Sequence, residues 1–140
     1  MIRPTIFVDT SGWGHFFIQN EPFHREAKAL VYALRREGHH FVTTNYILAE
    51  LIALMQSPLK RPRHEQIQIV ESIRNEDWIQ VIHIDEALDE LAWELFRSRR
   101  DKSWSLVDCA SFIVMQQEQI LYALSTDHHF EQAGFVNLLK

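Results

Sequence analysis

The chain has 140 residues, 46 % of them hydrophobic and 24 % charged, with a formal net charge of -5. That describes one ordinary globular domain over residues 1–140 and argues against nucleic-acid binding by bulk electrostatics. No apolar run approaches the roughly 18 residues of a membrane span and no basic segment precedes a signal-like core, so a cytoplasmic protein is expected; the single Cys109 excludes an internal disulfide and a cysteine-based zinc cluster.

Thr5-Ile6-Phe7-Val8 is an apolar run that reads as a buried strand, with Asp9 at its end and Gly12 and Gly14 punctuating the chain beyond it. Ala27, Leu30, Val31 and Leu34 then recur at helical spacing, predicting an amphipathic helix from about Pro22 to Glu37 that Gly38 closes. Phe41-Val42-Thr43 is a short second strand, and Thr44 or Asn45 can cap a helix to about Gln56. Pro58 and Pro62 bracket a basic loop with Lys60, Arg61 and Arg63, followed by a helix marked by Ile67, Val70 and Ile73.

Trp78 to Ile84 reads as the third strand, and Asp85 as the N-cap of a helix with the apolar stripe Leu88, Leu91, Ala92, Leu95 and Phe96. A connector carrying Arg97, Arg99, Arg100 and Lys102 leads to Ser105, which opens a helix to about Gln117. Both basic clusters read first as solvated surface, although such clusters can hold phosphates locally. Ile120 to Leu124 is the fourth strand, Asp127 precedes a short helical turn ending near Gly134, and Phe135 to Leu139 is a candidate fifth, edge strand. Strands alternating with helices predict a parallel sheet with helices on both faces.

Four carboxylates stand out by their isolation. Asp9 is the only charged residue between Arg3 and Glu21, Glu50 between His40 and Lys60, and Asp108 between Lys102 and Glu118; Asp127 follows the uncharged run Tyr122 to Thr126. Each has a bland explanation: Asp9 and Asp127 as N-caps, Asp108 in a capping box with Ser105, Glu50 on a solvated helix face. Together they have one that is less bland. Asp9 and Asp127 lie beyond the carboxyl ends of strands, and Glu50 and Asp108 lie near helix N-termini, which open on that same side of a parallel sheet. Acids so gathered repel one another or take up protons unless a cation neutralises them. An all-oxygen donor set favours Mg²⁺ or Mn²⁺ over zinc, and such an ion points to phosphoryl-transfer chemistry.

The segments Phe7-Val-Asp-Thr-Ser-Gly-Trp13, Thr44-Asn-Tyr-Ile-Leu-Ala-Glu-Leu51, Ser105-Leu-Val-Asp-Cys-Ala-Ser-Phe112 and Thr126-Asp-His-His-Phe130 with Ala133-Gly-Phe135 resemble, in order and separation, those of PIN domains. More narrowly they are similar to the VapC-type toxins of bacterial toxin–antitoxin pairs. The resemblance implies a three-layer α/β/α sandwich around a mostly parallel sheet of four to five strands. It implies a Mg²⁺- or Mn²⁺-dependent endoribonuclease acting on RNA, a cognate antitoxin, and a homodimer. Asp9 and Asp108 would be the principal metal ligands, with Asp127 and Glu50 binding directly or through water and orienting the nucleophile. Ser11, Asn45, Ser105 and Thr126 would support them. Asp101 matches an extra acid of some relatives or a loop ion pair with Arg99 or Lys102, and His129 stands where some relatives carry another acid. Trp13, Phe16 and Phe17 are candidates for base stacking, core or a dimer contact. The rival reading is a PIN fold that binds RNA or protein without cleaving. An aspartyl-phosphate phosphatase needs a second Asp two residues after the first, where Ser11 stands.

Overall fold

The computed structural model describes residues 3–139. Its centre is β1 (Ile6–Val8), three fully buried apolar residues that can only be satisfied by neighbours on both edges and cover on both faces. Both edges are filled by parallel strands: β2 (Phe41–Thr44) pairs Phe7 with Val42, and β4 (Tyr122–Leu124) pairs Val8 with Leu124. β3 (Ile79–Ile82) and β5 (Val136–Asn137) complete a five-stranded, wholly parallel sheet in the order β3-β2-β1-β4-β5.

The third and fifth strands are shorter than the sequence pattern suggests, because their partners end. Ile82 pairs with Thr44, the last residue of β2, and beyond it the Ile84 N–H turns to the side chain of Asn45. β5 has only the three residues of β4 to pair with.

Right-handed crossovers assign the helices to faces. The chain leaves β1 through α1 (Thr10–Phe17) and α2 (His24–Arg36), and leaves β2 through α3 (Asn45–Gln56) and α4 (Arg63–Asn75), advancing toward one edge each time. After β3 it reverses through α5 (Glu86–Ser98) and α6 (Leu106–Gln117) to the other side of β1, and α7 (His128–Gln132) leads to β5. Phe7, Phe112, Phe130 and Phe135 make an aromatic stack under α6 and α7. The opposite face is filled by Trp13, Phe41, Ile47, Leu51 and Met55, among the most fully buried side chains of the chain.

Helix α1 departs from expectation. Gly12 and Gly14 suggest a turn after Asp9, yet residues Thr10–Phe17 are helical and the Asp9 side chain caps them by accepting from the Gly12 N–H. Gly12 is required by close approach and not by chain reversal: a Cβ there would lie 2.0 Å from the Leu124 carbonyl oxygen. The helix can therefore press directly against β4. Trp13, on the same helix, is wholly buried and donates its Nε1–H to Thr43 Oγ1 at 3.1 Å, which makes it core and no platform for a base. Phe16 and Phe17 pack edge to face beside it.

Candidate active site

The strand order locates the site. β1 sends the chain to one side and receives β4 from the other, so the crevice between the carboxyl ends of β1 and β4 is the topological switch point, where open α/β sheets bind ligands. Because Val8 is in register with Leu124, the next residues, Asp9 and Ser125, sit side by side, and Ser125 Oγ donates to Asp9 Oδ2 at 2.7 Å. Two residues on, Asp127 caps α7. Its backbone N–H donates to Ser125 Oγ at 2.9 Å, so one hydroxyl ties both acids together.

Asp9 is 5 % exposed. Its Oδ1 accepts from the Gly12 N–H and from Ser11 Oγ, both at 2.8 Å, which with Ser125 uses three of about four lone-pair positions on the carboxylate and leaves one on Oδ2. Burial nevertheless pushes its pKa up to about 7; the Gly12, Ser125 and Ser11 hydrogen bonds oppose the rise and the charge of Asp127 adds to it.

Glu50 lies in the second turn of α3, where Thr10 Oγ1 donates to its Oε1. Its pKa is raised, chiefly by burial and further by the charges of Asp108 and Asp127, with the Thr10 bond opposing. Asp108 closes a capping box at the start of α6: the Ser105 N–H donates to its Oδ2 at 3.1 Å and the Asp108 N–H donates to Ser105 Oγ at 3.0 Å. Burial raises its pKa as well, Asp127 adds to this, and Ser105 and His129 pull the other way.

Asp9, Asp108 and Asp127 thus perform their bland capping roles, and they converge with Glu50 at the same time. Asp9, Glu50, Asp108 and Asp127 line one cleft of about 420 Å³ with Thr10, Ser11 and Ser57, and among the described residues no lysine or arginine lines it. Sequence reasoning found the acids but only part of their support. Ser11 donates its hydroxyl to the Asp9 carboxylate, and Ser105 reaches the Asp108 carboxylate through its backbone N–H. Thr126 reaches the network through its backbone N–H, which donates to Ser11 Oγ at 3.0 Å. Asn45 is used elsewhere, its Oδ1 accepting from Ile84 N at 2.6 Å to tie α3 to the end of β3. Thr10 and Ser125, not anticipated, hold Glu50 and Asp9; the one available signal was that hydroxyl residues flank both strand ends. Asp101 is the loop ion pair, with two nitrogens of Arg99 at 3.0 Å from its oxygens.

His129 has the most informative position. Its Nδ1 stands 3.0 Å from Asp108 Oδ2 and 3.3 Å from Asp127 Oδ1, and its Nε2 is 3.2 Å from Ser103 Oγ. The imidazole therefore bridges two acids of the cleft. His39, by contrast, sits with Nδ1 at 2.6 Å from the Pro4 carbonyl oxygen.

The residues fit a divalent cation. Asp127, His128 and His129 place one donor atom each within 4.8 Å of one another, as consecutive residues at a helix start readily do. The carboxylate set across the cleft is the harder and more anionic group, and of the two imidazoles beside Asp127 the nearer, His129, is already engaged by Asp108. Acids with raised pKa values, and no Lys or Arg among the described residues of the lining, call for an external counter-charge.

A wholly parallel sheet with carboxylates gathered at its switch point makes an acidic α/β site suited to a divalent cation. The chain belongs to the PIN domain family, whose model matches residues 6–136. It is 32 % identical over 133 residues to the 23S rRNA-specific endonuclease VapC20 of Mycobacterium tuberculosis H37Rv, covering 95 % of this chain and 97 % of that protein. The crystal structure of M. tuberculosis VapC20, described as a sarcin–ricin loop cleaving toxin, superposes with a TM-score of 0.85 at 29 % identity over 96 % of this chain and 99 % of that one. VapBC2 from Rickettsia felis, solved with a DNA fragment from its promoter, superposes with a TM-score of 0.68 at 10 % identity, covering 95 % and 96 % of the two chains. FitAcB from Neisseria gonorrhoeae does so at 0.64 and 15 %, covering 94 % and 95 %; both of these likenesses speak to the fold. Among the described residues, no helix is long and apolar enough to cross a membrane.

Proposed function

We propose that this chain is a VapC-type endoribonuclease whose cleft holds Mg²⁺ or Mn²⁺ on Asp9, Glu50, Asp108 and Asp127. The observation that carries the reading is the cleft itself: a buried, thrice hydrogen-bonded Asp9 beside three further acids, with no Lys or Arg among the described residues of the lining. Kinship over 95 % of the chain to a named rRNA endonuclease supports RNA as the substrate, and makes the sarcin–ricin loop of 23S rRNA the first sequence to try. A cognate antitoxin and a homodimer complete the proposal, as the VapC resemblance implies.

When bound, the cation would supply Lewis-acid polarisation of the scissile phosphate and offset charge on the departing 3′ oxygen. The protein's own contribution is orientation and proton movement. The Ser11, Ser125 and Gly12 bonds fix Asp9 in one rotamer, and the capping box does the same for Asp108. Thr10 holds Glu50 Oε1, leaving Oε2 to take the proton of the attacking water as its oxygen forms the new bond to phosphorus and the P–O3′ bond breaks.

The test is cleavage of labelled RNA by antitoxin-free protein with Mg²⁺ or Mn²⁺, with EDTA, and in folded Asp9→Asn and Asp108→Asn variants. Cleavage that requires the metal and disappears in both variants supports the nuclease and its site together. Activity that survives in both variants refutes the assignment of these residues.

A further inference from the structure

A second surface adjoins the cleft and has no part in the chemistry above. Trp93 and Phe96, near the end of α5, stack with ring centroids 5.5 Å apart and planes inclined by 21°, yet remain 46 % and 39 % exposed. With Trp104 and the connector's cations they line a cavity of about 430 Å³. Arg97 is held by Glu94, both carboxylate oxygens at 2.8 Å, and Arg99 by Asp101, while its guanidinium lies 5.1 Å from the centre of the Trp104 ring. Arg100 and Lys102 form no ion pair among the described residues, although both line the cavity. Residues 93–104 hold four cations (Arg97, Arg99, Arg100, Lys102) against two acids (Glu94, Asp101), a local net charge of +2 in a chain of -5.

This surface is bonded to the catalytic rim. Trp104 Nε1 donates to Gln132 Oε1 of α7 at 3.0 Å, Ser103 Oγ meets His129 Nε2 at 3.2 Å, and the next residue, Ser105, caps Asp108. An acidic cleft repels the polyanion it must cleave, so the phosphates flanking the scissile bond need cations close to the cleft and outside it.

We propose that this surface docks a single-stranded segment of the substrate RNA, one base stacking on the Trp93–Phe96 pair and the adjacent phosphates lying against Arg100 and Lys102. Exposed aromatic faces set among cations, here Arg100 and a Lys102 whose ammonium lies 6.0 Å from the Trp104 ring centre, are what sequence-tolerant single-strand binding requires. A second copy of this chain is a poorer occupant, since a two-fold contact would set the basic rim against itself. The proposal rests on the ribonuclease reading of the cleft.

The test compares wild type with Trp93→Ala and with Arg100→Ala/Lys102→Ala, at two exposed positions and one half-buried one, all checked for unchanged melting. Binding of a fluorescein-labelled, mixed-sequence single-stranded RNA is followed by anisotropy in EDTA over a salt series, beside RNA cleavage in Mg²⁺ and light scattering for oligomeric state. Trp93→Ala should weaken binding about 10-fold or more, the loss of one stacked base. The double variant should lower the slope of log affinity against log salt by about 1.4, two phosphate contacts on a single strand. In both, KM rises and kcat at saturation stays. Unchanged affinity and salt slope in variants that still need metal to cleave overturn the docking surface and leave the nuclease standing. A dimer that falls apart in Trp93→Ala with RNA affinity intact overturns it in favour of a contact between copies. Wild type that neither binds nor cleaves RNA overturns both readings.

Discussion

Replacing Asp9 by Asn should stabilise the metal-free protein while abolishing its activity. Burial raises the Asp9 pKa from 3.8 to about 7, and a raised carboxyl pKa is a folded-state cost that grows with pH. The cost is negligible below 3.8, is complete above 7, and amounts to about 4 kcal/mol at pH 8 and under about 2 kcal/mol at pH 5. Asn removes the charge and keeps an acceptor for Gly12 and Ser11. Its amide can donate to Ser125 Oγ, whose own proton is then free for Ser11 Oγ at 3.3 Å. The charge-assisted bonds are weakened in exchange, so a net gain of about 1–2 kcal/mol is expected at pH 8, or a rise of roughly 3–6 °C in Tm for a domain of this size. The assay is thermal unfolding of both proteins in EDTA at pH 8 and pH 5, then with Mn²⁺. Asp9→Asn should melt higher at pH 8, lose that margin at pH 5, and lose most of the wild type's stabilisation by Mn²⁺. A variant that melts below wild type in EDTA at pH 8 would refute the reasoning, because it would mean that the Asp9 charge is already neutralised within the fold.

Three further outcomes follow from the same geometry. Gly12→Ala puts a methyl 2.0 Å from the Leu124 carbonyl oxygen, a backbone atom locked in the β1–β4 ladder, so a loss of about 3 kcal/mol is expected in denaturant titration, at the upper end for overpacking. His129→Ala removes the imidazole between Asp108 and Asp127 and should lower Mn²⁺ affinity, measured by calorimetry, by about 10–100-fold with little change in melting temperature. Thr10→Val frees Glu50 from the hydrogen bond that lowers its pKa, so the carboxyl titrates higher and the acid limb of the pH–rate profile should move to higher pH; an unmoved limb would exclude Glu50 as the proton acceptor.

Much was legible in the chain because it concerns local physics. Ile6, Phe7 and Val8 are too apolar for any place but a central strand, and alternating strands and amphipathic helices commit the chain to a parallel sheet. Single acids in apolar segments mark Asp9, Glu50, Asp108 and Asp127, because a lone buried charge is costly wherever it falls. A cap such as Asp85 is contained within one turn of chain and reads equally well, while the choice between Thr44 and Asn45 fell to Thr44. Gly12 misled, since close approach and chain reversal both call for glycine and only the position of Leu124 tells them apart.

By itself, then, the amino-acid sequence determined the element types and the identity of the acids, properties set by each residue and its near neighbours. Tertiary structure alone decided that β1 lies between β2 and β4, which makes the ends of β1 and β4 the switch point. It also brought Ser125 to Asp9 across 116 residues, Thr10 to Glu50 across 40, and His129 to Asp108 across 21. The reason is physical. A hydrogen bond between distant residues carries no periodicity along the chain, and which hydroxyl meets which carboxylate is settled only when strand order and register place their backbones side by side.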